Sequence, residues 1–217
     1  MNVLGWVEDL APDLLRIGAD APPAPRWDQD WFPRLDAAAA YAIVRMTRPR
    51  RIVEVGSGHS TRFLARAVAD GALGTEIMSI DPEPRASLPT VVNWLQMPVQ
   101  ACDVQLFQSL APGDILFVDS SHQVKPGSDV QFLLDQALPR LASGVRVHFH
   151  DVFLPDDYPP GWAWRRYNEQ QAIARLLAES YVLEFSSHQA PKPRTGVLAR
   201  LPLVPGAHES SAWLKKR

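Results

Sequence analysis

The sequence has little of what marks secreted, membrane or nucleic-acid-binding proteins. Cys102 is the only cysteine among 217 residues, so no disulfide can form within the chain and no cysteine-rich zinc site can be built. No apolar run approaches the ~18 residues of a membrane-spanning helix, and the N-terminus is acidic where a signal peptide would be basic. The formal net charge of −2 provides no general field for gripping a phosphate backbone. We therefore expect a cytoplasmic protein with no membrane segment and no general nucleic-acid binding.

Two glycine patterns that bind phosphates are also missing. The P-loop pattern GxxxxGK[ST] does not occur, and the dinucleotide pattern GxGxxG is incomplete because Thr61 stands at its third glycine position. A nucleoside triphosphate is therefore an unexpected ligand, and a pyrophosphate-containing dinucleotide is disfavoured.

The proportions of hydrophobic and charged residues are those of a folded globular protein. Hydrophobic residues make up 46% and charged residues 21%, close to ordinary globular usage. The first fifty residues, 1–50, read as a helical extension in which a proline-rich linker, 21–25, is followed by a helix over 33–46. Residues 51–217 read as one ligand-binding domain.

From Arg51 onward, short apolar runs alternate with helical patterns, which is typical of parallel strands buried on both faces. The pattern predicts an α/β doubly wound sheet with helices on both faces. The predicted strands are 51–55, 75–81, 91–97, 114–119, 145–151, 181–187 and 210–214. The predicted helices are about 59–70, 103–110, 127–141 and 163–180.

A glycine turn joins the first strand to a helix, where open α/β sheets bind their ligands. Gly56 and Gly58 would let the backbone approach a ligand closely. Asp81 ends the second strand, twenty-three residues after Gly58, about where an acid that binds both ribose hydroxyls belongs. Together the turn and the acid indicate an adenosine-containing ligand.

These residues resemble the first motif and the second-strand acid of the class I S-adenosylmethionine-dependent methyltransferases. More narrowly, VEVGSGHST, FVDSSH and HFHDVFLPDDYP resemble a bacterial subgroup of small methyltransferases related to natural-product O-methyltransferases. The resemblance covers residues 51–213 and implies a Rossmann-like sheet of seven mostly parallel strands whose last strand is antiparallel.

The resemblance also implies how S-adenosylmethionine is held. Gly56 and Gly58 pass under the methionine part, Glu54 supports the loop, and Asp81 holds the ribose. The further implied cofactor contacts are Ser57, Ser60 and Asp119, and the Ser60 hydroxyl could instead cap the helix.

Four titratable residues follow two strands that we expect to be neighbours: Asp119, His122, His150 and Asp151. They should converge beside the glycine turn and are the candidate catalytic residues. In one form, Asp119, Asp151 and a histidine, either His150 or His122, hold a divalent ion such as magnesium or manganese that lowers the pKa of the acceptor hydroxyl. Metal-dependent catechol-type O-methyltransferases have similar acids, although Val152 stands where they have asparagine. In the other form, a histidine is the general base and an aspartate orients it.

Other polar and aromatic residues have less specific readings. His148 is expected in the core or behind the site, and Glu169 on a solvated helix face, with substrate binding as its alternative. The aromatic residues after the linker are candidates either to cover the cofactor or to be buried between two copies in a homodimer; they are Trp27, Trp31 and Phe32.

We therefore predict an enzyme that methylates a small-molecule acceptor, most simply at a hydroxyl oxygen. The alternatives are an NAD-dependent oxidoreductase and a cofactor-binding protein without catalysis. An iron oxygenase ranks last because its His-x-Asp pattern does not occur.

Overall fold

The structure is a computed structural model that describes residues 1–191 and 195–217. Residues 192–194, between the predicted strands 181–187 and 210–214, lie outside the described residues. The helices are α1 Val3–Asp9, α2 Ala11–Leu14, α3 Arg34–Thr47, α4 His59–Asp70, α5 Gln105–Gln108, α6 Asp129–Phe132 and α7 Glu169–Glu179. The strands are β1 Arg51–Val55, β2 Glu76–Ile80, β3 Asn93–Leu95, β4 Ile115–Val118, β5 Arg146–Phe149, β6 Tyr181–Ser186 and β7 Ala212–Lys216.

The strands form one seven-stranded sheet in the order β3-β2-β1-β4-β5-β7-β6. All neighbouring pairs are parallel except those of β7, which lies antiparallel between β5 and β6. The predicted seven-stranded sheet with an antiparallel last strand is confirmed. The order reverses between β1 and β4, and this is the position at which open α/β sheets bind ligands.

The two faces of the sheet are buried by different helices. In β4, Ile115 and Phe117 face the core under α1, α3 and α4, whereas Leu116 and Val118 face the core under α5, α6 and α7. Alternate side chains of a strand point to opposite faces, so a strand that is buried on both reads as one continuous apolar run. None of the helices in the described part of the chain is long and apolar enough to cross a membrane.

Three of the predicted helices are shorter or less regular than expected. The helix predicted over 103–110 is reduced to α5, and the one over 127–141 changes from α to π over Leu133–Ala137 and then to 3₁₀ around Pro139, which lacks a backbone N–H. The helix predicted over 163–180 begins only at Glu169. A separate 3₁₀ turn, Pro160–Arg165, precedes it and ends where Arg166 takes the left-handed conformation with φ 56°.

The N-terminal helices pack directly on the sheet. Val3 and Val7 of α1 and the alanine-rich α3 share a hydrophobic core with α4 and with Phe117 of β4. Trp27, just after the proline-rich segment, is buried in the same core and packs against Phe63. The division into an extension and a domain at residue 50 stays a prediction.

Candidate active site

The glycine turn lies at the carboxyl end of β1, directly beside the segment that follows β4. Gly56 has φ 81°, and a Cβ atom there would lie 1.8 Å from the carbonyl oxygen of Asp119. The backbone N–H of Asp119 in turn donates to the Val55 carbonyl at 2.9 Å. Only glycine allows both the left-handed backbone and this close approach.

Glu54 braces the turn from below. It is fully buried and accepts hydrogen bonds from the hydroxyls of Ser60, Thr61 and Ser79 at 2.7, 2.6 and 2.8 Å. Burial raises the pKa of Glu54 to about 7, although these three hydroxyls oppose the shift. The Ser60 hydroxyl thus donates its hydrogen bond to the Glu54 carboxylate, which supports the loop.

Asp81 closes the other side of the turn. One of its oxygens, Oδ2, accepts from the Ser57 backbone N–H at 2.7 Å and from the Ser57 hydroxyl at 3.0 Å. The second, Oδ1, accepts from the Glu83 backbone N–H at 2.8 Å. Asp81 is therefore held rigidly at the end of β2 and faces the cavity.

A cavity of about 540 Å³ opens above the carboxyl ends of the strands, a size within the ~300–1,000 Å³ of small-molecule sites. Its lining includes all the residues predicted for catalysis and all those predicted for the cofactor except Glu54, which lies beneath it: Gly56, Ser57, Gly58, Ser60, Asp81, Asp119, His122, His150 and Asp151. Trp31 and Phe32 line the cavity, and the Trp31 ring stacks on His59, whereas Trp27 is buried in the core.

His122 is enclosed by carboxylates. Its Nδ1 lies 3.0 Å from Glu169 Oε2, and its Nε2 lies 3.4 Å from Asp119 Oδ1 and 3.6 Å from Asp151 Oδ2. Burial alone would lower the pKa of His122, but the hydrogen bonds to Asp119 and Glu169 and the surrounding negative charge hold it well above its usual value.

His150 has the same kind of surroundings. Its Nε2 lies 3.2 Å from Asp36 Oδ2, and its Nδ1 lies 3.4 Å from both Asp119 Oδ1 and Asp151 Oδ1. Burial opposes protonation, yet the charges of Asp151 and Asp119 hold the pKa of His150 well above its usual value. Each imidazole therefore has one nitrogen toward Asp119 and Asp151 and the other toward a buried carboxylate behind it.

The backbone around these residues is unusual. His122 and Asp151 both adopt left-handed conformations, with φ 57° and 56°. Residues other than glycine rarely do so, and such conformations cluster at functional sites.

Sequence reasoning missed the two carboxylates behind the histidines. Asp36 of α3 is fully buried and accepts from the backbone N–H groups of Ser210 and Ser211 at 3.0 and 2.9 Å and from the Ser187 hydroxyl. Its one sequence signal is a charged residue inside the apolar run of α3. The expectation that Glu169 lies on a solvated face was wrong, since it is buried against His122.

His148 lies in the core, as expected. Its ring stacks on Phe117 with the ring centroids 3.7 Å apart, and its Nε2 lies 2.9 Å from the Ser211 hydroxyl. Burial and the nearby His150 charge lower the pKa of His148 to about 3. His148 therefore supports the site from behind and stays neutral at physiological pH.

The side chains present do not fit a divalent ion. Within residues 1–191 and 195–217, no group of three or more histidine, cysteine, aspartate or glutamate side chains is arranged to hold a metal. The imidazole nitrogens that face Asp119 are instead at ion-pair distance from carboxylates, and Val152 offers a buried apolar side chain where the metal-dependent enzymes have a ligand.

Residues 53–152 match a family model described as a methyltransferase domain. The chain carries a methyltransferase domain. The matched segment runs from β1 to the residue after Asp151, so it contains the glycine turn, Asp81 and the two catalytic histidine candidates. The resemblance to the class I methyltransferases is thus confirmed, and with it the enzyme class. No curated protein matches the sequence.

Solved structures share the fold of this methyltransferase domain. An SAH-bound methyltransferase of Podospora anserina aligns with a TM-score of 0.54 at 18% identity, covering 100% of this chain and 88% of that one. An O-methyltransferase of Bacillus cereus in complex with SAH has a TM-score of 0.53 at 15% identity, covering 100% and 91%. The O-methyltransferase TomG of Streptomyces achromogenes, involved in tomaymycin synthesis and solved with SAM, has a TM-score of 0.51 at 17% identity, covering 100% and 90%.

Proposed function

We propose that this protein transfers the methyl group of S-adenosylmethionine to a hydroxyl oxygen of a small-molecule acceptor. The observation that carries the proposal is the single cavity lined both by the glycine turn with Asp81 and by the paired histidines. The Podospora anserina, Bacillus cereus and Streptomyces achromogenes methyltransferases with this fold were solved with SAH or SAM, which supports the same cofactor here.

The cofactor would lie along the carboxyl ends of β1 and β2. A carboxylate has about four acceptor positions. The three hydrogen bonds from Ser57 and Glu83 leave Asp81 one position for a ribose hydroxyl. The methionine part would pass over Gly56 and Gly58, which both line the cavity.

The reaction itself requires alignment and a proton acceptor. Bound S-adenosylmethionine would supply a methyl group on a sulfonium sulfur; the sulfur would keep the electron pair of the broken carbon–sulfur bond and leave as neutral S-adenosylhomocysteine when the acceptor oxygen bonds to the methyl carbon. The hydroxyl proton passes to the imidazole pair. His122 and His150 share contacts with Asp119 Oδ1, so we assign the proton to the pair as a unit.

The direct test of the cofactor is calorimetric titration of S-adenosylmethionine and S-adenosylhomocysteine into wild type, Asp81→Ala and the exposed control Asp157→Asn. We expect micromolar binding that weakens at least tenfold, about 1.4 kcal/mol, only in Asp81→Ala. Failure of both ligands to bind wild type would overturn the proposal. Binding of NADH in their place would favour the oxidoreductase alternative.

The test of acceptor activation compares methyl transfer with and without a chelator, once a methylated acceptor is known. Chelation should leave the rate unchanged, and His150→Gln should lower kcat by about 100-fold, in the range of general-base catalysis. A rate that chelation abolishes and magnesium or manganese restores would replace the histidine base with a metal ion. Tight cofactor binding without transfer to any hydroxylated acceptor would favour the non-catalytic alternative.

A further inference from the structure

One wall of the cavity carries a positive charge that no carboxylate neutralises. The guanidinium of Arg165 lies within 4.0 Å of no acidic side chain in the described residues. Arg34, Arg45 and Arg146, which are also partly buried, each pair with a carboxylate, whereas Arg62 donates to neutral oxygens. The Nε atom of Arg165 is buried and has no hydrogen-bond partner. Arg165 lines the cavity, so an uncompensated positive charge lies at this wall together with a buried N–H donor that has no partner.

Aromatic rings hold this guanidinium in place. Its Cζ lies 4.2 Å from the centre of the Trp162 ring, 5.2 Å from that of Trp164 and 5.5 Å from that of Tyr167. The Tyr167 hydroxyl also accepts a hydrogen bond from Arg165 Nη1 at 3.1 Å. Ring faces attract a cation without neutralising it, so the position is fixed and the charge remains free for a ligand.

From this arrangement we infer that the methyl acceptor is a hydroxylated aromatic carboxylate, whose carboxylate Arg165 binds. A guanidinium presents pairs of parallel N–H donors that match the two oxygens of a carboxylate. Trp162, Tyr167 and His208 line the same part of the cavity and favour a flat apolar body.

The position of Arg165 relative to the histidines gives the acceptor an orientation. The Tyr167 ring lies 4.7 Å from the His122 ring and 5.5 Å from the guanidinium carbon, so the two groups are at most about 10 Å apart. One substituted ring can span this separation. Asp119 and Asp151 repel an anion at the histidine end, so the hydroxyl enters there and the carboxylate stays at Arg165.

This inference rests on the proposed function, because it assigns the acceptor of the same cavity. A carboxylate at Arg165 has two possible sources, the acceptor or the methionine part of the cofactor. Calorimetry of S-adenosylhomocysteine is therefore measured first, with wild type, Arg165→Met and Arg165→Lys. The neighbouring Arg166→Met is the control, because Arg166 is exposed and does not line the cavity.

The probes are 4-hydroxybenzoate and its neutral amide, 4-hydroxybenzamide, titrated into protein saturated with S-adenosylhomocysteine. We expect wild type and Arg166→Met to bind the acid about 10-fold to 100-fold more tightly than the amide, as for a lost hydrogen bond to a charged group. Arg165→Met should lose most of that preference while its affinity for the amide and for S-adenosylhomocysteine changes less than about 3-fold. Arg165→Lys should keep part of the preference because it keeps the charge.

Three results would overturn the inference. Wild type could bind the acid and the amide equally, a comparison that does not depend on the folding of any variant. Arg165→Met could weaken both probes equally, which would make Arg165 a packing residue, or it could weaken S-adenosylhomocysteine, which would assign the anion to the cofactor. If S-adenosylhomocysteine does not bind wild type, the proposed function fails separately, and the acid-to-amide comparison on the unliganded protein still decides the role of Arg165.

Discussion

Asp36 joins the N-terminal part of the chain to His150, one of the two candidate catalytic histidines, and its replacement tests that connection. The change Asp36→Asn keeps the shape of the side chain but removes its negative charge. That charge faces His150 and accepts hydrogen bonds from the backbone N–H groups of Ser210 and Ser211. Breaking a buried ion pair from one side costs about 3–5 kcal/mol, and hydrogen bonds to a charged acceptor contribute about 1.5–3 kcal/mol each. We expect a loss of about 3–5 kcal/mol, a large share of the ~5–15 kcal/mol that stabilises ordinary domains.

Urea unfolding at pH 7, followed by far-UV circular dichroism, measures this loss for Asp36→Asn against wild type. The exposed variant Asp157→Asn serves as the matched control and should stay within about 0.5 kcal/mol. The variant should also lower the pKa of His150, because the hydrogen bond to Asp36 helps to raise it, and imidazole NMR resonances report that pKa.

The pKa of Asp36 is lowered in the folded protein: burial opposes this, and the hydrogen bond and charge of His150 outweigh it. Its stabilising contribution is present above the unfolded pKa of about 3.9 and is lost as the pH falls through the folded value. A loss below about 1 kcal/mol at pH 7, or an unchanged His150 pKa, would refute the reasoning.

Two further variants and a pH profile test the site from other directions. Burial raises the pKa of Glu54 to about 7, so protonated Glu54 stabilises the folded state below its unfolded pKa of about 4.3, and this stabilisation is lost as the pH rises through 7. Urea unfolding of wild type should therefore give a free energy of unfolding about 3 kcal/mol lower at pH 8 than at pH 4.5. Glu54→Gln should remove most of that difference. Gly56→Ala would drive a Cβ atom to 1.8 Å from the Asp119 carbonyl oxygen, so thermal melting should show a lower Tm and calorimetry weaker S-adenosylhomocysteine binding; wild-type values for both would contradict the close approach. The folded-state pKa values of His122 and His150 are raised, so the pair can accept a proton only above those values, and kcat should increase with pH through them. A kcat that does not change with pH up to pH 9 would exclude the histidines as the base.

The sheet was predictable because its central strands β1, β4 and β5 are buried on both faces. The continuous apolar run around Phe117 shows this burial in the sequence, and the glycine turn at Gly56 indicates at which end of the strands the ligand binds. The strand predicted over 91–97 shrinks to Asn93–Leu95, since an edge strand pairs on one side only and has exposed residues. The helical sequence pattern predicted over 163–180 continues across Arg166, so the sequence did not indicate that Arg166 is left-handed and that α7 begins after it.

The four residues predicted to converge do line one cavity, because residues that follow neighbouring parallel strands emerge at the same edge. Backbone bonds continue the ladder past the strands, with His150 N–H donating to the Val118 carbonyl at 3.0 Å. Asp36 and Glu169 could not be placed in the same way. Asp36 meets its partners 114 to 175 residues away, and no local spacing carries information about such contacts.

The position of β7 between β5 and β6 has a consequence for how the protein is synthesised. β7 leaves the ribosome after both of its neighbours, and until then β6 has no strand beside it in the sheet. Asp36 and Ser211 are 175 residues apart, so at ~5–20 residues per second Ser211 is synthesised roughly 9–35 s after Asp36. A nascent chain that stalls before β7 therefore exposes two open strand edges and an unpaired acid, which makes it a substrate for chaperones.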